Sequence, residues 1–250
     1  MNFLNEFAGL LFVLIFFLLL LTLNLTGKKK TIRNLREITA FLRLRRVVGL
    51  AVEAGSRIHI SVGREGVTGS KTASALVGLA MLERIARAAS VSDRPPVVTS
   101  GDSTLTILSQ DTLRTTYRNV NAENLYDPAA GRLTGLTPFS YAAGAMPVIH
   151  DEQVSSNVLI GNFGSEIALL TEAAEQGGSV TIAGSDDLTA QAVLFATAQE
   201  PLIGEEMFAG GAYLNAGPAH IASLRAQDIL RWALIVVILA GAIAKGIGLL

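Results

Sequence analysis

Two long apolar runs, one near each end of the chain, constrain its fold more than any other feature. Residues Phe7 to Leu25 are interrupted only by Gly9, Thr22 and Asn24. A helix rising 1.5 Å per residue over that length spans the ~30 Å hydrocarbon core of a bilayer. The second run, Trp232 to Leu250, carries Lys245 as its one charge, and a lysine near the far interface can snorkel to water. Each run is therefore expected to form a transmembrane helix. In the first, the basic cluster follows the apolar stretch and no small-residue cleavage site intervenes, which is the wrong order for a cleaved signal peptide.

The flanks orient these helices. Lys28, Lys29, Lys30, Arg33 and Arg36 follow the first run, and Arg225 and Arg231 precede the second. The positive-inside rule then puts the central region in the cytoplasm of a cell (inner) membrane and both termini outside. The absence of cysteine excludes disulfides and thiolate metal sites.

Four segments follow along the chain: 1–27, the first span; 28–56, a basic juxtamembrane helix that Gly55 stops; 57–216, an α/β domain; and 217–250, a helix continuing into the second span. Within the domain, β-branched runs alternate with helical ones. RIHISV (57–62), 96–99, 154–160, 180–183 and 201–203 read as strands. Helices are expected over 70–89, capped by Ser70, over 103–118, from Pro138 to near Met146, over 165–176 and over 187–196. Such alternation predicts βαβ units and a Rossmann-like, mostly parallel sheet with helices on both faces. The polar stretch 119–136 reads as an irregular excursion. Arg57, His59 and Ser61 alternate with apolar residues, which places that strand at a sheet edge or an interface, since a central parallel strand is ordinarily apolar on both faces.

Charge is strongly segregated. Residues 28–132 hold 17 lysines and arginines against 9 acids, whereas residues 133–224 hold 10 acids and no lysine or arginine. Either the two halves neutralise each other inside one domain, or a basic surface on one copy meets an acidic surface on the next, giving a homo-oligomer. Lys28, Lys29, Lys30, Arg33, Arg36, Arg43, Arg45 and Arg46 form the densest basic cluster and are candidates for contact with anionic lipids or a neighbouring copy. Nucleic acid is disfavoured, because the remainder of the soluble part is acidic.

The loops after the strands are rich in glycine and helix-capping residues: GREGVTGS (63–70), SGDST (100–104), GNFGS (161–165) and GSDD (184–187). At the carboxyl edge of a parallel sheet such loops can bring backbone N–H groups to an anion. Gly63, Gly66, Gly69, Ser70, Gly101, Asp102, Gly161, Gly164, Ser165, Gly184 and Ser185 are thus candidate ligand-binding residues, with a nucleotide as the alternative to no cofactor at all. GREGVTGSKT departs from a P-loop, because Ser70 separates Gly69 from Lys71. No catalytic residue and no metal site is expected: the three histidines are far apart, and neither a nucleophile elbow nor a zinc motif occurs. In the second span Ala240, Ala244 and Gly248 form a small-residue stripe suited to close helix packing.

The segments VGLAVEAGSRIHISVG, LERIARAASVSDRPPVVTSGD, LTPFSYAAGAMPVIHDEQVSSNVLIGNFGSE and ATAQEPLIGEEMFAGGAYL cover most of the soluble part. They resemble a family of bacterial membrane proteins, found notably among Chloroflexota, described only as a domain of unknown function. The resemblance implies a membrane setting and brings no ligand or catalytic residue. Together these observations lead to the expectation of a membrane-anchored, self-assembling scaffold, with an anion-binding sensor or regulator as the alternative.

Overall fold

The structure is a computed structural model that describes residues 2–26 and 35–247. It divides into two units, one made of the terminal helices and one spanning Glu37–Leu214. In the first unit, α1 (Asn2–Thr26) packs against α9 (Pro218–Gly246). Both are long and apolar enough to cross a membrane. The half-buried residues of α1 include Phe16, Leu19, Leu20 and Leu23, one stripe at helical spacing. On α9, Ala244 is half-buried and Ala240 is exposed, while Gly241 takes the neighbouring half-buried position. Gly248 lies outside the described residues, as do Lys28, Lys29, Lys30 and Arg33.

The second unit opens with α2 (Thr39–Glu53) and continues β1 (Arg57–Ser61), α3 (Thr72–Ala89), β2 (Val97–Ser100) and α4 (Ser103–Asn119). It then runs through β3 (Gly131–Leu133), α5 (Pro138–Asp151), β4 (Val154–Gly161), α6 (Ile167–Gln176), β5 (Val180–Ser185), α7 (Leu188–Thr197) and β6 (Glu200–Leu202). A 3-10 segment, Gly204–Ala209, leads into α8 (Gly210–Tyr213). The six strands form one sheet in the order β3-β2-β1-β4-β5-β6, every pair parallel. This is the doubly wound order of dinucleotide-binding folds, so the expected Rossmann-like sheet is present.

Strand parity assigns the helices to the two faces. Val62, just past β1, lies beside Gly78 of α3, while its neighbour Ser61 bonds to Tyr141 of α5. On the α3 side, α2 closes the sheet next to α3. Its buried residues Ala40, Phe41, Leu44, Val47, Val48 and Ala51 recur with the period of a core-facing helix. On the other side, Tyr141, Phe163, Leu159, Ile167, Leu170 and Leu194 form a buried cluster beneath α5, α6 and α7.

Four local expectations are corrected. The strand β1 is central, between β2 and β4, because its polar residues are paired inside rather than solvated. The helix α3 begins at Thr72, and Ser70 does not cap it. The Thr72 hydroxyl instead donates to the carbonyls of Val67 and Gly69, folding the preceding loop back on itself. The excursion 119–136 contains the edge strand β3, whose three residues carry no β-branched signal. Finally, α5 continues through Pro147 to Asp151, since burial of Ala145, Val148 and Ile149 outweighs the one backbone bond that proline removes.

Candidate functional site

In a sheet of this order the chain adds strands outward in opposite lateral directions from β1 and from β4, and ligands of such folds lie at the carboxyl ends of these two strands. The structure brings Gly63, Gly66, Gly101, Asp102, Gly161 and Gly164 together there, with Gly184 and Ser185 one strand further on β5. Gly69, Ser70 and Ser165 are exposed in the surrounding loops.

The glycines serve a close approach of the chain to itself. Gly63 has φ +96°, and a Cβ there would lie 2.7 Å from the Asn162 nitrogen. A Cβ on Gly161 would collide with the Val62 carbonyl, and one on Gly66 would lie 2.6 Å from a carboxylate oxygen of Asp102. Hydrogen bonds lace the loops beyond the strand ends: Arg64 N–H donates to the Asn162 carbonyl at 3.0 Å, and Gly101 N–H to the Gly63 carbonyl at 2.9 Å. The crevice between β1 and β4 is closed at its base.

Acidic side chains of the same chain occupy positions that an anionic ligand would use. Asp102 caps α4 by accepting from Leu105 N–H at 2.8 Å, and Asp187 caps α7 by accepting from Ala190 N–H at 3.0 Å. Glu166, only 3% exposed, accepts from Gly164 N–H at 2.8 Å and from Arg64 Nε at 2.5 Å. Asp186 receives Asn162 Nδ2 at 2.6 Å, the Ser74 hydroxyl at 3.0 Å and Lys71 Nζ at 3.3 Å. A phosphate would have to displace a carboxylate from the starts of α4 and α7, against the repulsion of its neighbours.

Beneath this edge, on the α5 side, runs a buried polar row. His59 is fully buried; its Nδ1–H donates to Asn157 Oδ1 at 2.5 Å, and its Nε2 accepts from the Thr99 hydroxyl at 2.8 Å. Burial holds the His59 pKa down, to about 4, so the ring is neutral near pH 7. The Ser61 hydroxyl pairs with that of Tyr141, whose burial raises its pKa to about 12. The polar face of β1 thus finds partners on β2, β4 and α5.

Among the described residues, part of the expected basic surface is engaged within the chain. Arg43 donates to Glu200 of β6 at 2.8 Å, and Arg45 donates to the Tyr213 carbonyl. Glu152 holds both Arg57 and Arg132. Arg43–Glu200, Arg57–Glu152, Arg132–Glu152, Arg64–Glu166 and Lys71–Asp186 all join the basic half of the sequence to the acidic half. Arg36 precedes α2, and Arg46 is exposed on it.

The chain matches the family described as Domain of unknown function (DUF6754) over residues 2–250. It belongs to that family. No curated protein and no solved structure matches it. In this DUF6754 domain, sequence reasoning found the glycines and Asp102 of the carboxyl edge but missed Arg64, Asn162 and Lys71 as its partners. The Asp186 carboxylate, in the GSDD loop after β5, reaches the loops that follow β1 and β4. The signal available was the charge itself: an arginine and a lysine following a β1 that leads into an otherwise acidic set of loops.

Proposed function

We propose that this chain is a membrane-anchored scaffold that self-assembles. In this reading α1 and α9 hold the α/β unit at the cytoplasmic face, with both termini outside, and the α/β units of neighbouring copies meet beneath the membrane. The observation that carries it is the outward face of α7. That helix contains no charged residue; Leu188 is 81% and Phe195 76% exposed, and Ala192 and Ala196 are exposed between and beside them. An uncharged stripe fits an equally uncharged partner, and a second α7 related by two-fold symmetry supplies one. Tethering both copies in one bilayer raises their effective concentration. The intrachain ion pairs described above support placing the contact on this apolar stripe rather than on a basic-to-acidic surface.

The test is mass photometry of the full chain in phosphatidylcholine nanodiscs large enough for several copies. Assemblies of two or more copies are expected, falling to single copies in the Leu188→Ser/Phe195→Ser variant. Single copies of the unsubstituted chain across the accessible concentration range would refute it.

The strand order favours a second reading, a sensor or regulator that takes a nucleotide-like anion at the β1/β4 carboxyl edge. It requires Arg64 and Lys71 to exchange Glu166 and Asp186 for the ligand. A thermal-shift series with ATP and NAD decides it: stabilisation by either, abolished in Gly164→Val, would support the sensor.

A further inference from the structure

On the α2/α3 side of the sheet a half-open groove of about 510 Å³ runs between the two helices. Leu44, Val48 and Val52 of α2, with Ile85 and Ala88 of α3 and Leu214, give it an apolar lining. Arg45, Arg84 and Arg87 stand along it against Glu53. Arg87 is joined to Glu83 at 3.0 Å and Arg45 to the Tyr213 carbonyl, but Arg84 Nε is buried with no hydrogen-bond partner among the described residues. Arg84 as a whole is half-buried, and a guanidinium short of acceptors is a favourable partner for an anion seated beside it. Gly49 also lines the groove, and a Cβ there would meet nothing within 4 Å.

We infer that this groove binds a single-chain amphiphile with an anionic head: the acyl chain lies along the apolar lining and the phosphate or carboxylate accepts from Arg84. The volume and mostly apolar character are those of a small-molecule site with a few placed polar groups. Charge complementarity selects the head group, because the lining holds three arginines against one glutamate. It also argues against residues 27–34 as the occupant, since that stretch is itself basic and carries no acid.

The experiment uses the full chain in phosphatidylcholine nanodiscs with a diazirine-bearing palmitate, mapping the cross-links by mass spectrometry. Labelling is expected on the α2 and α3 peptides as well as on the spanning helices. Excess oleate or lysophosphatidylglycerol should reduce the α2/α3 labelling at least tenfold, and excess lysophosphatidylcholine by less than threefold. A stronger effect of oleate identifies a free fatty acid as the ligand, and a stronger effect of lysophosphatidylglycerol a phospholipid. Gly49→Leu adds a side chain at a groove-lining helical position whose Cβ has open space, so the chain should fold and lose the α2/α3 labelling tenfold. Arg84→Gln should remove the preference for anionic competitors. Labelling confined to α1 and α9, or α2/α3 labelling undiminished in a folded Gly49→Leu chain, would overturn the assignment.

Discussion

The ring of Phe41 stacks on that of Tyr213, with centroids 5.0 Å apart and planes 15° from parallel. These residues stand near opposite ends of the Glu37–Leu214 unit, so its two termini are pinned side by side. One turn further along α2, Arg45 donates to the Tyr213 carbonyl and adds a polar tie to the same joint. Adjacent ends suit a domain whose chain arrives from one apolar helix and leaves into another.

Truncating this joint should loosen the whole unit. Phe41 is 2% exposed, and removing a buried phenyl ring costs about 3–5 kcal/mol. Phe41→Ala is expected to lower the unfolding free energy by about 3 kcal/mol, and Tyr213→Ala, at a half-buried position, by less. Denaturant titration of the reconstituted chain, followed by the far-ultraviolet signal, measures both.

Stability should fall on acidification through a defined window. An unfolded histidine titrates near 6.5 and His59 in the fold at about 4. Between those values the unfolded chain binds the extra proton, so stability present above pH 6.5 is lost as pH falls towards 4. The loss from this residue is about 3 kcal/mol. His59→Leu should show a shallower acid limb than the unsubstituted chain in melting curves taken from pH 7 to 4, and identical limbs would contradict the assignment.

Two glycines of one loop should respond unequally to a methyl group. Gly63→Ala introduces a Cβ against Asn162 at a positive φ and should destabilise by about 2–3 kcal/mol. Gly69→Ala meets nothing within 4 Å and should change stability by less than about 0.5 kcal/mol. Paired thermal melts make the comparison.

Glu166→Gln leaves Arg64, 18% exposed, without its carboxylate. The expected loss is about 2 kcal/mol, below the full penalty of a buried pair because water reaches the guanidinium. Replacing both residues, as Arg64→Met/Glu166→Leu, should recover most of it. A double-mutant cycle by chemical denaturation reads the coupling directly.

Local pattern was enough for much of the architecture. The long apolar runs within α1 and α9 specify membrane-crossing length regardless of context. The β-branched runs and capping residues such as Asp102, Thr137 and Asp187 announced most of the strands and helices, because these signals act within a few residues. The glycines at 63, 101 and 161 were legible as a strand-end cluster for the same reason.

What the tertiary structure decided are relations between distant residues. The polar alternation at β1 pointed to a sheet edge or an interface, yet His59 is buried between Asn157 and Thr99, partners supplied by the strands on either side. The charge segregation was plain in the sequence, but only the fold shows Arg64 meeting Glu166 and Arg43 meeting Glu200 within one chain. The two apolar ends were determined by composition alone, since a helix in hydrocarbon satisfies its own backbone. The pairing of polar groups inside the sheet depends on which strands become neighbours, and no local sequence signal encodes that choice.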